Sequence, residues 1–154
     1  MLLEVAVDSL DSALNAIHGG ATRLELCSSL GLGGLTPTSG LLRLCKRHAW
    51  QRGVPIFCLV RPRPGNFVYS PAEFELMIEE IRALTLEGAD GFVLGCLTVD
   101  GIVDEEKCIK LIQASFPIPC TFHRAFDFVR DPMQSLRVIA RLGFWYVRPN
   151  AESF

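Results

Sequence analysis

Basic residues are not in excess in this chain of 154 residues: 15 Lys and Arg stand against 17 Asp and Glu, a formal charge of −2. Nucleic-acid binding needs a basic footprint that displaces counterions, so that class is set aside. Long apolar runs are missing too, and none approaches the roughly 18 residues of a membrane span. The opening MLLEVAVDSL has no basic lead and carries Glu4 and Asp8 in its apolar stretch, unlike a signal peptide. None of the six cysteines forms a C-x-x-C pair, which speaks against both a zinc site and a disulfide framework. No G-x-G-x-x-G follows the first predicted strand, so dinucleotide binding has no support. What is present is apolar side chain: 49% of residues are hydrophobic and 21% charged. That is too apolar for a disordered chain. The expectation is one soluble intracellular domain with reduced thiols.

The apolar pattern alternates between strand and helix. LLEVAV (2–7) predicts a strand, and Leu10, Ala13, Leu14 and Ile17 follow at helical spacing before Gly19-Gly20. Arg23–Cys27 reads as strand two, with Leu41, Leu44, Cys45 and His48 marking a second helix. Val54–Val60 is a continuous apolar run, as in a strand covered on both faces. Ser70, Pro71 and Glu73 form an N-cap, a first-turn proline and a capping-box acid, ahead of Phe74, Met77, Ile78 and Ile81. Gly91–Leu94 and Pro119–Phe122 predict strands four and five, with helices marked by Cys108, Leu111 and Ile112 and by Leu136, Ile139 and Ala140. Trp145-Tyr146-Val147 reads as the stub of a sixth strand.

A faint repeat runs through this order. GATRLEL (20–26) resembles GADGFVL (88–94), and Val54-Pro55 resembles Ile118-Pro119. Such steps suit an α/β fold of (β/α) TIM-barrel type, in which eight units take about 250 residues. Five complete units cannot close a barrel, so the prediction is an incomplete one, with an open doubly wound sheet as the alternative.

In a barrel the chemistry gathers at the C-terminal strand ends. Those ends carry Glu25 and Cys27, then Arg61 and Arg63, then His123, Arg124 and Asp127. Arg61, Arg63 and Arg124 could hold a phosphate or carboxylate bidentately, with Glu25 and Asp127 beside them. Glu4 or His123 is then the candidate general base. The bland reading is a structural ion-pair network, with Arg23, Arg61 or Arg124 compensating Glu4 inside its strand. Cys27 is the one thiol at a strand end and so the candidate soft-metal ligand; the other five read as small buried hydrophobes. Phe67 and Tyr69 could close over a ligand. His18 and His48 read as surface or packing residues.

EVAVDS (4–9), RLELCSSL (23–30), GGLTPT (33–38), RPRPGNFVYS (61–70), GADGFVLGCLTVDG (88–101) and TFHRAFD (121–127) together resemble the copper homeostasis protein CutC family, in order and in register. The resemblance spans residues 2–144, taken as a partial barrel domain (1–144) with a divergent tail (145–154). It implies a (β/α) barrel, a cytoplasmic and also nuclear location, a homo-oligomer and Cu(I) binding. No reaction is attached to that role, so a non-enzymatic protein is expected, and a barrel enzyme acting on a small anionic substrate is the alternative. The cysteine of the family's ELC motif matches Cys27. A second family cysteine, in EVCVDS, is replaced by Ala6, which leaves Cu(I) one thiolate short. The family continues through three more strands, so a truncated form with impaired copper binding is expected.

Overall fold

A computed structural model describes residues 2–147. Six short strands, β1 (Glu4–Val7), β2 (Arg23–Leu26), β3 (Ile56–Leu59), β4 (Gly91–Leu94), β5 (Cys120–Phe122) and β6 (Tyr146–Val147), alternate with five helices. The helices are α1 (Leu10–His18), α2 (Ser39–Ala49), α3 (Pro71–Leu86), α4 (Glu105–Ser115) and α5 (Pro132–Leu142). Every neighbouring pair of strands is parallel and the spatial order is β1-β2-β3-β4-β5-β6. A doubly wound sheet would reverse its strand order at a switch point. Here each unit is added on the same side, which is how a barrel grows, and the six strands make a half-barrel. The predicted stub is β6, paired to β5 through Thr121↔Tyr146 and Phe122↔Val147. Of the predicted tail, residues 148–154 lie outside the described residues.

The helix starts follow from their caps. Ser70 accepts from the Glu73 N–H while the Glu73 carboxylate accepts from the Ser70 N–H, and Pro71 needs no donor there. Asp104 and Asp131 accept from Lys107 and Gln134 at the starts of α4 and α5. The α1 start has a capping box whose reciprocal partner is Ser12. In α2 the buried stripe is Leu42, Cys45 and Ala49, whereas Leu44 and His48 are exposed. Cys45 belongs to both candidate stripes, and the small Ala49 belongs to the one that lies against the sheet.

The sheet has two unlike faces. Leu24, Leu26, Ile56, Cys58, Phe92, Leu94 and Phe122 join the helices in one large apolar core. The alternate residues point the other way, as the two-residue strand period requires. Cys27, Phe57, Leu59 and Val93 form a separate small cluster there, together with buried Arg23, Glu25, Thr121 and His123. The curl of the sheet is visible in Arg23, whose guanidinium lies 4.5 Å from the Phe57 ring centroid and 4.8 Å from that of Tyr146 on the far strand.

The repeat has a structural counterpart. Thr22, just ahead of β2, accepts from the Leu3 N–H before β1 (2.8 Å), and Asp90, just ahead of β4, accepts from the Ile56 N–H that starts β3 (2.7 Å). Lys46 of α2 holds the same Asp90 carboxylate. In the intervening units a proline carbonyl does this work: Leu24 N–H donates to Pro55 (3.0 Å) and Phe92 N–H to Pro119 (2.9 Å).

Candidate functional site

The C-terminal strand ends form an open mouth, and β3 delivers its centre. After Val60 the backbone N–H of Arg61 donates to Thr36 Oγ1. The guanidinium then turns under the loop that follows β2. Its Nη1 donates to the carbonyls of Leu32, Gly33 and Gly34 at 3.2, 3.2 and 3.0 Å, and its Nη2 to Gly65 at 3.1 Å. Arg61 thus ties two strand-end loops together, with its Cζ 4.8 Å from the Phe67 ring centroid. Its Nε is buried and has no hydrogen-bond partner. Burial lowers the Arg61 pKa from its usual value, and the nearby charges of Arg124 and Arg63 act in the same direction.

Arg124 approaches from the β5 end. Its Nη1 would lie 2.6 Å, and that of Arg61 3.2 Å, from a Cβ placed on Gly33. Gly33 has a φ of 81°, the left-handed region that favours glycine, and the two guanidiniums converge on it. Asp127 Oδ2 is 3.9 Å from Arg124 Nε. Arg63 is spent elsewhere: it pairs with Glu73 and donates to the carbonyls of Pro64, Asn66 and Val68. That pairing, with the Ser70 N–H, pulls the Glu73 carboxyl down to about 2.

His123 is buried. Its Nδ1 accepts from the Ala125 N–H (3.3 Å), which leaves the proton of the neutral ring on Nε2, and its ring lies 4.8 Å from that of Phe67. Phe67 and Tyr69, expected as covers over a ligand, are 1% and 3% exposed. They are packing residues beneath the mouth, because the RPRPG turn folds back over them. His18 and His48 are exposed on helices.

Glu4 is not part of this mouth. It stands at the N-terminal end of β1, in register with Arg23, and its carboxylate accepts from Arg23 Nε. Of the three arginines considered for it, Arg23 is the partner. Glu25 lies two residues along β2 from Arg23, on the same face and buried.

Cys27 follows β2 and is fully buried, with its Sγ 3.5 Å from the Val7 carbonyl. A Cβ at Gly34 would stand 3.5 Å from that sulfur, so the loop after β2 covers it. All five other cysteines belong to the helix-side core. Burial raises the thiol pKa of Cys45 and Cys58 and pushes Cys120 up to about 11, which keeps those groups protonated. Among the described residues no three His, Cys, Asp or Glu side chains gather as a metal site.

The mouth holds two adjoining cavities. One, of about 600 Å³, is lined by Leu32, Gly33, Arg61, Asn66, Arg124 and Phe128 among others. The second, of about 350 Å³, lies between the loops after β3 and β4 and shares Asn66 and Phe128 with the first. Gly33 could have been found in the GGLTPT motif; Asn66 and Phe128 carry no sequence signal for this role.

Known proteins match this chain along nearly its whole length. The profile of the CutC family matches residues 1–150. The copper homeostasis protein cutC homolog of Homo sapiens is 50% identical over 143 residues, 93% of this chain and 51% of that protein. The family protein CutC of Vibrio vulnificus is 44% identical over 143 residues, covering 92% of this chain and 56% of its own. The chain thus spans about half the length of the curated relatives it matches. The crystal structure of CutC from Streptococcus agalactiae superposes with a TM-score of 0.89 at 31% identity, covering 96% of this chain and 71% of that one. No helix among the described residues is long and apolar enough to cross a membrane. A half-barrel of consecutive parallel strands and this profile match have one reading: the chain belongs to the CutC family.

Proposed function

We propose that this chain takes part in copper homeostasis by binding Cu(I) at Cys27, as a cytoplasmic and nuclear homo-oligomer. The observation that carries the reading is the position of that thiol. It alone among six cysteines lies on the barrel side of the sheet, at the end where barrels do their chemistry. Thiolate is the soft donor that Cu(I) prefers, and binding would expel the Cys27 proton and open the contact to Val7. Ala6 on the neighbouring strand offers no second thiolate. Six free, buried thiols suit a reducing compartment.

The test is an anaerobic Cu(I) titration against a competing chelator, with Cys27→Ser and, as a core control, Cys58→Ser. Loss of the tight site in Cys27→Ser alone supports the reading. Equal behaviour of the two variants refutes it.

A second reading has its own observation: two guanidiniums converge on Gly33 beside an open cavity. It is that the mouth binds a small anion, held by Arg124 and Arg61 with Asp127 beside Arg124, whereas Arg63 is engaged by Glu73 and Glu25 lies within β2. In the enzymatic form of this reading, His123 moves the proton, since Glu4 lies at the other end of β1, where Arg23 holds it.

A further inference from the structure

The mouth brings two guanidiniums together over one glycine. Arg61 is buried, and its guanidinium donates to neutral carbonyl oxygens. Arg124 Nε has Asp127 Oδ2 beside it, at 3.9 Å. Two guanidiniums held this close repel each other, and their arrangement is stable only because backbone carbonyls and the Phe67 face hold one of them in place. An anion in the cavity that Arg61 and Arg124 line, beside Gly33 where their Nη1 groups converge, would offset that repulsion.

The adjoining cavity adds an apolar wall. Phe67, Val68, Leu97, Val99 and Phe128 line it beside Arg63, Asn66 and Thr98, with Val99 85% and Phe128 58% exposed. Exposed apolar side chains around a concavity that opens into a cationic one make a two-part surface. Together the cavities fall in the size range of small-molecule sites.

From this juxtaposition we infer that the mouth takes an amphipathic organic anion: a phosphate or carboxylate group between Arg61 and Arg124, and an apolar or aromatic group on the Phe128–Val99 shelf. The inference rests on the anion reading above and adds the class of ligand. It does not involve Cys27.

Isothermal titration of the full chain with three probes separates the possibilities: inorganic phosphate, phenyl phosphate and phenol. The expected result is phenyl phosphate bound about tenfold or more tightly than phosphate, with phenol weakest. Arg124→Gln, a partly exposed position checked for folding by circular dichroism, should abolish both phosphate-bearing probes. Val99→Ser, in the second cavity alone, should lower the preference for phenyl phosphate and leave inorganic phosphate unchanged. Equal affinity for the two phosphates, both lost in Arg124→Gln, would overturn the amphipathic assignment and keep the anion site. Absence of phosphate binding, or binding unchanged in Arg124→Gln, would overturn both.

Discussion

The two faces of one sheet carry opposite solutions to the same burial. On β2, Leu24 and Leu26 face the helices while Arg23 and Glu25 face the barrel, and all four are buried. The helix side is filled by side chains whose removal from water is favourable in itself. The barrel side buries charge, which is tolerated only where each group finds a partner, as Arg23 finds Glu4, Phe57 and Tyr146. The first face holds the fold; the second is where a ligand could be recognised. The same contrast separates Cys58 from Cys27.

Breaking each face should therefore fail differently. The largest loss is expected on the helix side: Phe92→Ala, at a fully buried ring, should cost about 3–5 kcal/mol in urea unfolding. A loss under about 1 kcal/mol would mean that this face is not the core. On the barrel side, Arg23→Met should cost about 3 kcal/mol by leaving Glu4 without its guanidinium. Adding Glu4→Leu should recover part of that loss, whereas adding Leu26→Ala should deepen it. A smaller effect, about 1–3 kcal/mol, is expected for Gly91→Ala, because a Cβ there would sit 2.5 Å from the Phe57 ring. Phe57→Leu should relieve it, and a lack of coupling between the two changes would show that the ring does not lie over Gly91.

The smallest effect belongs to the rim. The Arg63 and Ser70 contacts depress the Glu73 carboxyl to about 2 from its ordinary 4.5. Because the folded value is the lower one, the stabilisation is present above pH 4.5 and is lost as pH falls towards 2. Glu73→Gln should lower Tm slightly at pH 7, and the gap to the parent should close between about pH 5 and pH 2. A gap that stays constant over that range would remove the ion pair from the explanation.

How much of this was legible follows from which forces are local. The strands, the Ser70-Pro71-Glu73 helix start and the barrel-type progression are written in short-range periodicity and caps, and the structure has them where the sequence placed them. The phase of α2 was not, because Leu41/Leu44 and Leu42/Ala49 both make apolar stripes through Cys45 and only the sheet chooses between them. The identity of Glu4's partner was open among three arginines, since register across strands is a long-range property. Arg61 read as an anion-binding group, yet its Nη1 is bound to carbonyls 27 to 29 residues back in the chain, which no spacing rule reveals. Cys27 stood out at a strand end, but its seclusion beneath Gly34 depends on how a loop folds over it.

The ties at the base of the strands bear on how the chain assembles. Thr22, Pro55, Asp90 and Pro119 each fasten the beginning of the strand just completed by means of the first residues of the next unit. Order is thus acquired from the N-terminus onward. During synthesis, each βα segment leaving the ribosome would be latched as soon as 19 to 34 further residues follow the start of its strand, and long before the last strand exists. Growth by successive latching needs no distant partner at any step, so few sticky strand edges stay open while the polypeptide is still being made.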